Sequence, residues 1–538
     1  MQLLVYKTDR IITTAELQIY KLSFKGIIMN TKITSFLSKH RSILSILVFF
    51  ICTTLMQAVP AFVNLTHYTK TAIFFVILSA YFSLCYFMLR YKKLNKDDKI
   101  FLIILGGIII RSFYVIFTGV NERQHDEGYF SGLSDDLINP GHLGYIEYLC
   151  KFGHLPNFSP YQLFSYYHPP VHHIISCLFI DLQLLFDVNE RLAFENIQAL
   201  TFLYSSLCLP VSYKILQKIK CSDTCMVLAV ALLTFHPGMI YMAGSTNNDM
   251  LCTLLTFTCF YFSLEWMQNK TLLNLIKIAL SLGFGMITKL NCAIMAFPLA
   301  AVFLLHFISE CRAKRMWKSI KEFAIFGILT AGIGLSYVIR NLVFYDTNPG
   351  VPVVTKESIL YLGDLPKFYT YVFQPQLHFD YPFHSLHGEQ ICNIWQILFR
   401  TSLFDEIRPE LSDFLLFGCQ TALLLAMTLG TIFFFVTIIM QIREIKKGDK
   451  ELGIFLLTGY VMVVLTFILF VLKYPFTCSA NYRYVVIGLL FTAIAMIQLS
   501  DKARIQTKSH RIFAVVMEYG MFALIALITL ILLVWNQW

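Results

Sequence analysis

Apolar runs of roughly twenty residues, long enough to cross a bilayer as helices, recur along the chain with short polar breaks between them. They fall near 43–63, 71–90, 100–120, 196–213, 224–243, 250–267, 272–288, 291–308, 322–340, 414–440, 452–472, 483–499 and 512–535. The pattern predicts an all-α polytopic membrane protein, a bundle of about thirteen transmembrane helices. A further apolar piece, 171–187, reads as a non-crossing helix, because a crossing there would move the basic segment Lys214 to Lys220 to the opposite side. Two polar interruptions are large, 121–170 and 341–413. The first, NERQHDEGYFSGLSDDLINPGHLGYIEYLCKFGHLPNFSPYQLFSYYHPPVHH through 173, is where chemistry is expected.

Charge sets the orientation. The linker 90–99 carries five basic residues, and further clusters follow at Arg312 to Lys321, Arg443 to Lys450 and Lys502 to Arg511. Cytoplasmic loops of membrane proteins are enriched in Lys and Arg, so these segments are expected inside. The loop 121–170, with only Arg123 and Lys151 against six acids, is then extracytoplasmic, as is 341–413 with its His378, Tyr381, His384, His387 and Trp395.

Composition agrees with a membrane protein: 57% of residues are apolar and 14% charged. The net charge of +10 lies in short clusters between apolar runs, a distribution that speaks for cytoplasmic loops and against a nucleic-acid partner. The 14 cysteines are scattered through apolar runs without CxxC pairs, so neither disulfides nor a metal centre is indicated. The expected organisation is a cytoplasmic N-terminal segment 1–42, in which Met29 stands as an alternative start, and two additional helices at 43–99. A membrane core follows at 100–345, including an outer loop 121–195, then a second outer loop 346–413 and C-terminal helices 414–538.

Within this frame a few residues carry candidate chemistry. Asp126 and Glu127 follow a membrane run directly, where a partly shielded carboxylate can act as a general base; a solvated loop charge is the alternative. Arg111 lies inside that run, and a guanidinium there is costly, on the order of 3 kcal/mol at the bilayer centre, unless it has a partner or a cavity. His168 and His172 share a face if the segment is helical, although Pro169 and Pro170 intervene and no HExxH follows, so packing or polar substrate contact outweighs a metal. Asn247-Asn248-Asp249 forms a polar turn on the same expected side as Asp126.

The order of these parts resembles the GT-C superfamily of polytopic glycosyltransferases, particularly its protein O-mannosyltransferase and aminoarabinose-transferase branch (glycosyltransferase family 39-like). The residues that carry the likeness are Arg111, Asp126-Glu127, Gly141 to Ile146, Tyr167 to Pro170, His236-Pro237-Gly238, Asn247-Asn248-Asp249, Thr288-Lys289, Tyr337 to Asn341 and Asn481 to Tyr484. The two spans before residue 95 are additional to the usual core. Asn481 stands where relatives often carry an acid.

The resemblance implies a GT-C-like bundle with two large extracytoplasmic loops and a hexosyltransferase, mannosyltransferase-like, that uses a polyprenyl-phosphate-linked sugar. Asp126, beside Glu127, would deprotonate an acceptor in a protein, lipid or cell-surface glycan, and polyprenyl phosphate would leave with inversion. Fixed cations are needed for the developing phosphate charge. Lys289, Arg340 and Arg483 are the outer-side candidates, with Arg111, His168 and Asp249 as further donor contacts and interface anchoring as the alternative for each cation. No cofactor is expected; a divalent metal is compatible but not indicated. The expected location is a bacterial plasma membrane, or the endoplasmic reticulum of a eukaryote, with the site outside or lumenal. A transporter or flippase would place paired, symmetry-related halves in the sequence, and no such repeat is present. A polysaccharide polymerase or ligase is the other enzyme alternative.

Overall fold

The computed structural model describes residues 40–120, 127–219, 222–347, 361, 382–383, 393–406 and 411–503, with scattered helical positions between 508 and 527. Its principal helices are α1 (His40–Ala58), α2 (His67–Tyr91), α3 (Lys96–Phe117), α4 (Gly141–Phe152), α5 (Val171–Leu184), α6 (Ile197–Gln217), α7 (Asp223–Phe235) and α8 (Asp249–Gln268). The second half contains α9 (Leu272–Met286), α10 (Ala296–Arg312), α11 (Met316–Gly334), α12 (Ser336–Tyr345), α13 (Ile394–Phe404), α14 (Asp413–Lys447), α15 (Lys450–Lys473) and α16 (Ile487–Ala503). Among the described residues the extended pairing is a single bridge between Tyr361 and Phe476.

Among the described residues eight helices are long and apolar enough to cross a membrane, or up to ten when two bent pairs are each counted as one span. The protein is therefore an all-α, multi-pass membrane protein. The remaining runs of the expected thirteen differ for identifiable reasons: α9 has only 15 residues, the apolar part of α16 is similarly short, and 512–535 falls largely outside the described residues. The 224–243 run bends by 53° where Pro237, which has no N–H to donate, interrupts it. The 322–340 run is part of a second bent pair, α11 and α12, turned by 55° after Gly334. Helix α5, at 14 residues, rises about 21 Å and falls short of the roughly 30 Å hydrocarbon core.

Burial separates centre from periphery. Most of α3 is buried, whereas α2 buries only Phe74, so α2 presents most of its side chains outward, as a lipid-facing helix does. The basic end of the first three helices is pinned at Asp98, which lies 2.7 Å from Arg41 and 2.9 Å from Lys92. Asn95 caps the same turn by accepting from the Asp98 amide at 2.8 Å.

The polar interruption after α3 folds around a small core of its own, formed by Val120, Leu143, Tyr145, Ile146, Tyr166 and Ile180 with their neighbours. Tyr145 stacks on Tyr166 with ring centroids 4.6 Å apart. Gly128 and Gly141 both have positive φ and pack against each other, so that a Cβ on either would overlap the other's backbone. This contact holds the segment after Asp126-Glu127 against the start of α4, where the Leu143 amide donates to the Glu127 carbonyl at 2.7 Å. The second interruption is not loop throughout: α12 runs to Tyr345, and α13 buries Ile397, Leu403 and Phe404.

Candidate active site

Four breaks between helices converge at one end of the bundle. The turn before α8 supplies Thr246, Asn248 and Asp249; the break after α9 supplies Thr288 and Lys289; the short turn Tyr482–Tyr484 supplies Arg483 and Tyr484; the start of α5 supplies His172 and His173. Irregular backbone in a membrane protein is tolerated where it is covered by protein or lines a cavity, and here the turns bond to one another. Asn248 Nδ2 donates to the Thr288 carbonyl at 2.7 Å, and His172 Nε2 donates to the Thr246 carbonyl at 2.8 Å.

At the centre is a buried ion cluster. Lys289 donates to Asp249 Oδ1, and Arg483 Nη1 lies 4.0 Å from Asp249 Oδ2. All three side chains are at least nine-tenths excluded from solvent. Tyr484 roofs both cations, with its ring centroid 5.5 Å from Lys289 and 5.1 Å from Arg483. Two cations against one carboxylate leave a net positive charge. Asp249 and Arg483 open onto a cavity of about 320 Å³, whose other walls include Thr253, Asn291, Phe467 and Tyr484. Beyond the same turn a second, mostly apolar cavity of about 440 Å³ is lined by Phe235, Trp395, Phe399, Phe434 and Tyr482.

A chain of histidines leads from this cluster towards Glu127. His173 and His142 share a 2.9 Å hydrogen bond, and His142 stacks on His168 with centroids 5.1 Å apart. His142 stands next to Leu143, whose amide holds the Glu127 carbonyl. Burial lowers His172 to about 4 and puts His173 well below the usual imidazole range, so both are neutral at pH 7.

The structure thus brings Asp249, Lys289 and Arg483 together, with His168 and Glu127 linked to them through the histidine chain. Asp126 lies outside the described residues. Two expected donor contacts are placed elsewhere. Arg340 donates to the Pro156 carbonyl and to Asn341 Oδ1, and it stacks over Tyr337 and Tyr345, so it fastens the segment at Pro156 to α12 and not to the ion cluster. Arg111 donates from Nε to Ser205 Oγ at 2.9 Å and from Nη1 to the carbonyls of Gly107 and Thr234 at 3.1 and 2.7 Å, tying α3 to α6 and α7. Sequence reasoning passed over His142, His173, Tyr484 and Glu406. Glu406 accepts from Asn481 Nδ2 at 2.9 Å, so a carboxylate from the α13 side reaches the Asn481 turn.

The fold and site define a multi-pass, all-helical membrane protein with a cationic cavity at one end of its bundle. It resembles the GT-C glycosyltransferases: residues 167–337 match the model of the Dolichyl-phosphate-mannose-protein mannosyltransferase family, a stretch that contains His172, His173, Asp249 and Lys289. Among curated proteins none matches the chain significantly. Similar solved structures include the oligosaccharyltransferase of Archaeoglobus fulgidus in its apo form, 14% identical over 82% of this chain with a TM-score of 0.43; the chain spans 56% of that protein's length. ArnT from Cupriavidus metallidurans in the apo state is 11% identical, over 81% of this chain and 75% of its own, with a TM-score of 0.40.

Proposed function

We propose that this protein is an integral-membrane glycosyltransferase that moves a sugar from a polyprenyl-phosphate-linked donor to a protein, lipid or glycan acceptor on the extracytoplasmic side, with inversion at the anomeric carbon. The observation that carries this reading is the buried pair of cations, Lys289 and Arg483, flanking the carboxylate of Asp249, with Asp249 and Arg483 on the wall of a cavity. A phosphate leaving group accumulates negative charge as its bond to the sugar breaks, and fixed cations in a water-poor site stabilise that charge more than they stabilise the neutral glycosidic bond. Asp249 keeps the two cations from repelling each other before the donor arrives. The neighbouring apolar cavity suits the first units of a polyprenyl tail.

The acceptor proton needs a base, and Asp126 is assigned that role because it follows the α3 span directly and its neighbour Glu127 is anchored beside His142. An acceptor hydroxyl loses its proton to the Asp126 carboxylate as its oxygen bonds to the anomeric carbon, and the bond to the phosphate oxygen breaks with both electrons going to the leaving group. Mannose is the sugar favoured by the family match. The deciding experiment supplies purified protein in lipid with a panel of polyprenyl-phosphate sugars and a mixed acceptor pool, and measures release of polyprenyl phosphate. Folded protein that releases none from any donor overturns the reading.

A further inference from the structure

Away from the ion cluster, α4 and α5 meet a second time. Cys150 Sγ, Cys177 Sγ and a carboxylate oxygen of Asp181 all lie within 4.8 Å of one another. Cys177 and Asp181 are one helical turn apart on α5, and the Cys177 thiol points at Asp181 Oδ2 from 3.8 Å. Cys150 reaches the pair from near the end of α4.

We propose that Cys150, Cys177 and Asp181 form a binding site for a borderline-soft divalent cation of the Zn²⁺ type, which clamps α4 to α5. The spacing suits such an ion. A tetrahedral Zn²⁺ with Zn–S near 2.3 Å and Zn–O near 2.0–2.2 Å holds its ligand atoms about 3.6–3.8 Å apart. Two thiolates with one carboxylate select for Zn²⁺ over the hard cations Mg²⁺ and Ca²⁺, which prefer all-oxygen shells. Cys177 is buried and Cys150 half-buried, whereas Asp181 is exposed, so water can reach the fourth position. Glu147, one turn before Cys150 on α4, is not the fourth ligand: it is already held by Lys151 at 3.0 Å, Ser131 Oγ at 2.9 Å and Asn139 Nδ2 at 2.9 Å.

A disulfide between the two cysteines is the competing chemistry, and the geometry favours the metal. Asp181 has no part in a disulfide, yet it is placed one turn from Cys177 with its oxygen at ligand distance from the sulfur. The clamp would act where it matters for the candidate active site. The same two helices carry His142 and His173 at their starts, so tying the end of α4 to the second half of α5 fixes the approach of the histidine chain to Asp249.

The test uses the full chain purified in detergent under reducing conditions and does not depend on transfer activity. Equilibration with micromolar Zn²⁺, gel filtration and elemental analysis should find one Zn²⁺ per chain beyond what the Cys150→Ser/Cys177→Ser double variant retains, and Zn²⁺ should raise the thermal midpoint of the wild type only. Asp181→Asn, an exposed change that should not impair folding, should weaken Zn²⁺ binding by about tenfold or more. Substituting Cd²⁺ should produce a thiolate-to-metal ultraviolet band that is absent from the double variant. Equal Zn²⁺ uptake by wild type and double variant overturns the proposal. A Cys150–Cys177 disulfide found by non-reducing peptide mapping of protein isolated without reductant overturns it as well, in favour of a covalent staple.

Discussion

Lys289 and Asp249, forty residues apart in sequence, form a buried ion pair that joins the break after α9 to the first residue of α8. Removing Asp249 leaves two buried cations without a counter-charge, whereas removing Lys289 leaves the carboxylate still facing Arg483. Asp249→Asn should therefore destabilise the protein by about 3–5 kcal/mol, Lys289→Met by less, and the double variant by less than the sum. A double-mutant cycle of unfolding in detergent measures this. Effects that add to within about 0.5 kcal/mol would mean that the pair is not coupled.

The two cations of the buried cluster should bind the donor phosphate, and Arg340 should not. Lys289→Gln and Arg483→Gln should each weaken affinity for polyprenyl phosphate by about 10- to 100-fold, the equivalent of roughly 1.5–3 kcal/mol for a charge-assisted hydrogen bond. Arg340→Gln should leave that affinity unchanged and lower thermal stability, because it loses the Pro156 carbonyl and two aromatic faces. Titration of each detergent-solubilised variant with the lipid phosphate separates the two outcomes.

Asp126→Asn keeps the size of the side chain and its capacity to hydrogen-bond while removing its basicity, so turnover should fall by about 10²–10⁴-fold with donor binding retained. Glu127→Gln should be milder, since its fixed element is a backbone carbonyl bonded to Leu143. Near-normal transfer by Asp126→Asn would dismiss it as the base.

Acid should weaken the fold through the histidine chain. His172 and His173 are buried neutral with lowered values, His172 at about 4, whereas an unfolded histidine titrates near 6.5. Between those limits the unfolded state binds more protons than the folded one, so stability is retained above about pH 6.5 and falls as pH drops towards 4. The slope should be on the order of 1 kcal/mol per pH unit for each histidine. Thermal midpoints at pH 7, 6 and 5 test this, and His172→Asn should flatten the decline.

The apolar periodicity alone determined the class of protein, because no water-soluble arrangement can cover so many runs of bilayer length, and the grouping of Lys and Arg between them supplied the expected sidedness. The family resemblance, together with the position of each charge at the end of an apolar run, also singled out Asp249, Lys289 and Arg483. That the three meet is a tertiary fact: forty residues and almost two hundred more separate them, and only the converging breaks of α8, α9 and the Tyr482–Tyr484 turn bring them into contact. The same packing set the contacts of Arg340, which has the right residue type and the right kind of span end and turns to the Pro156 carbonyl. The bends at Pro237 and Gly334 and the shortness of α9 were likewise invisible in the sequence, for hydropathy registers how apolar a run is and not whether its helix stays straight. The histidine chain and the Glu406–Asn481 bond were out of reach of the sequence for a related reason: their meaning lies in which neutral or charged groups face them, and that is set by packing across helices.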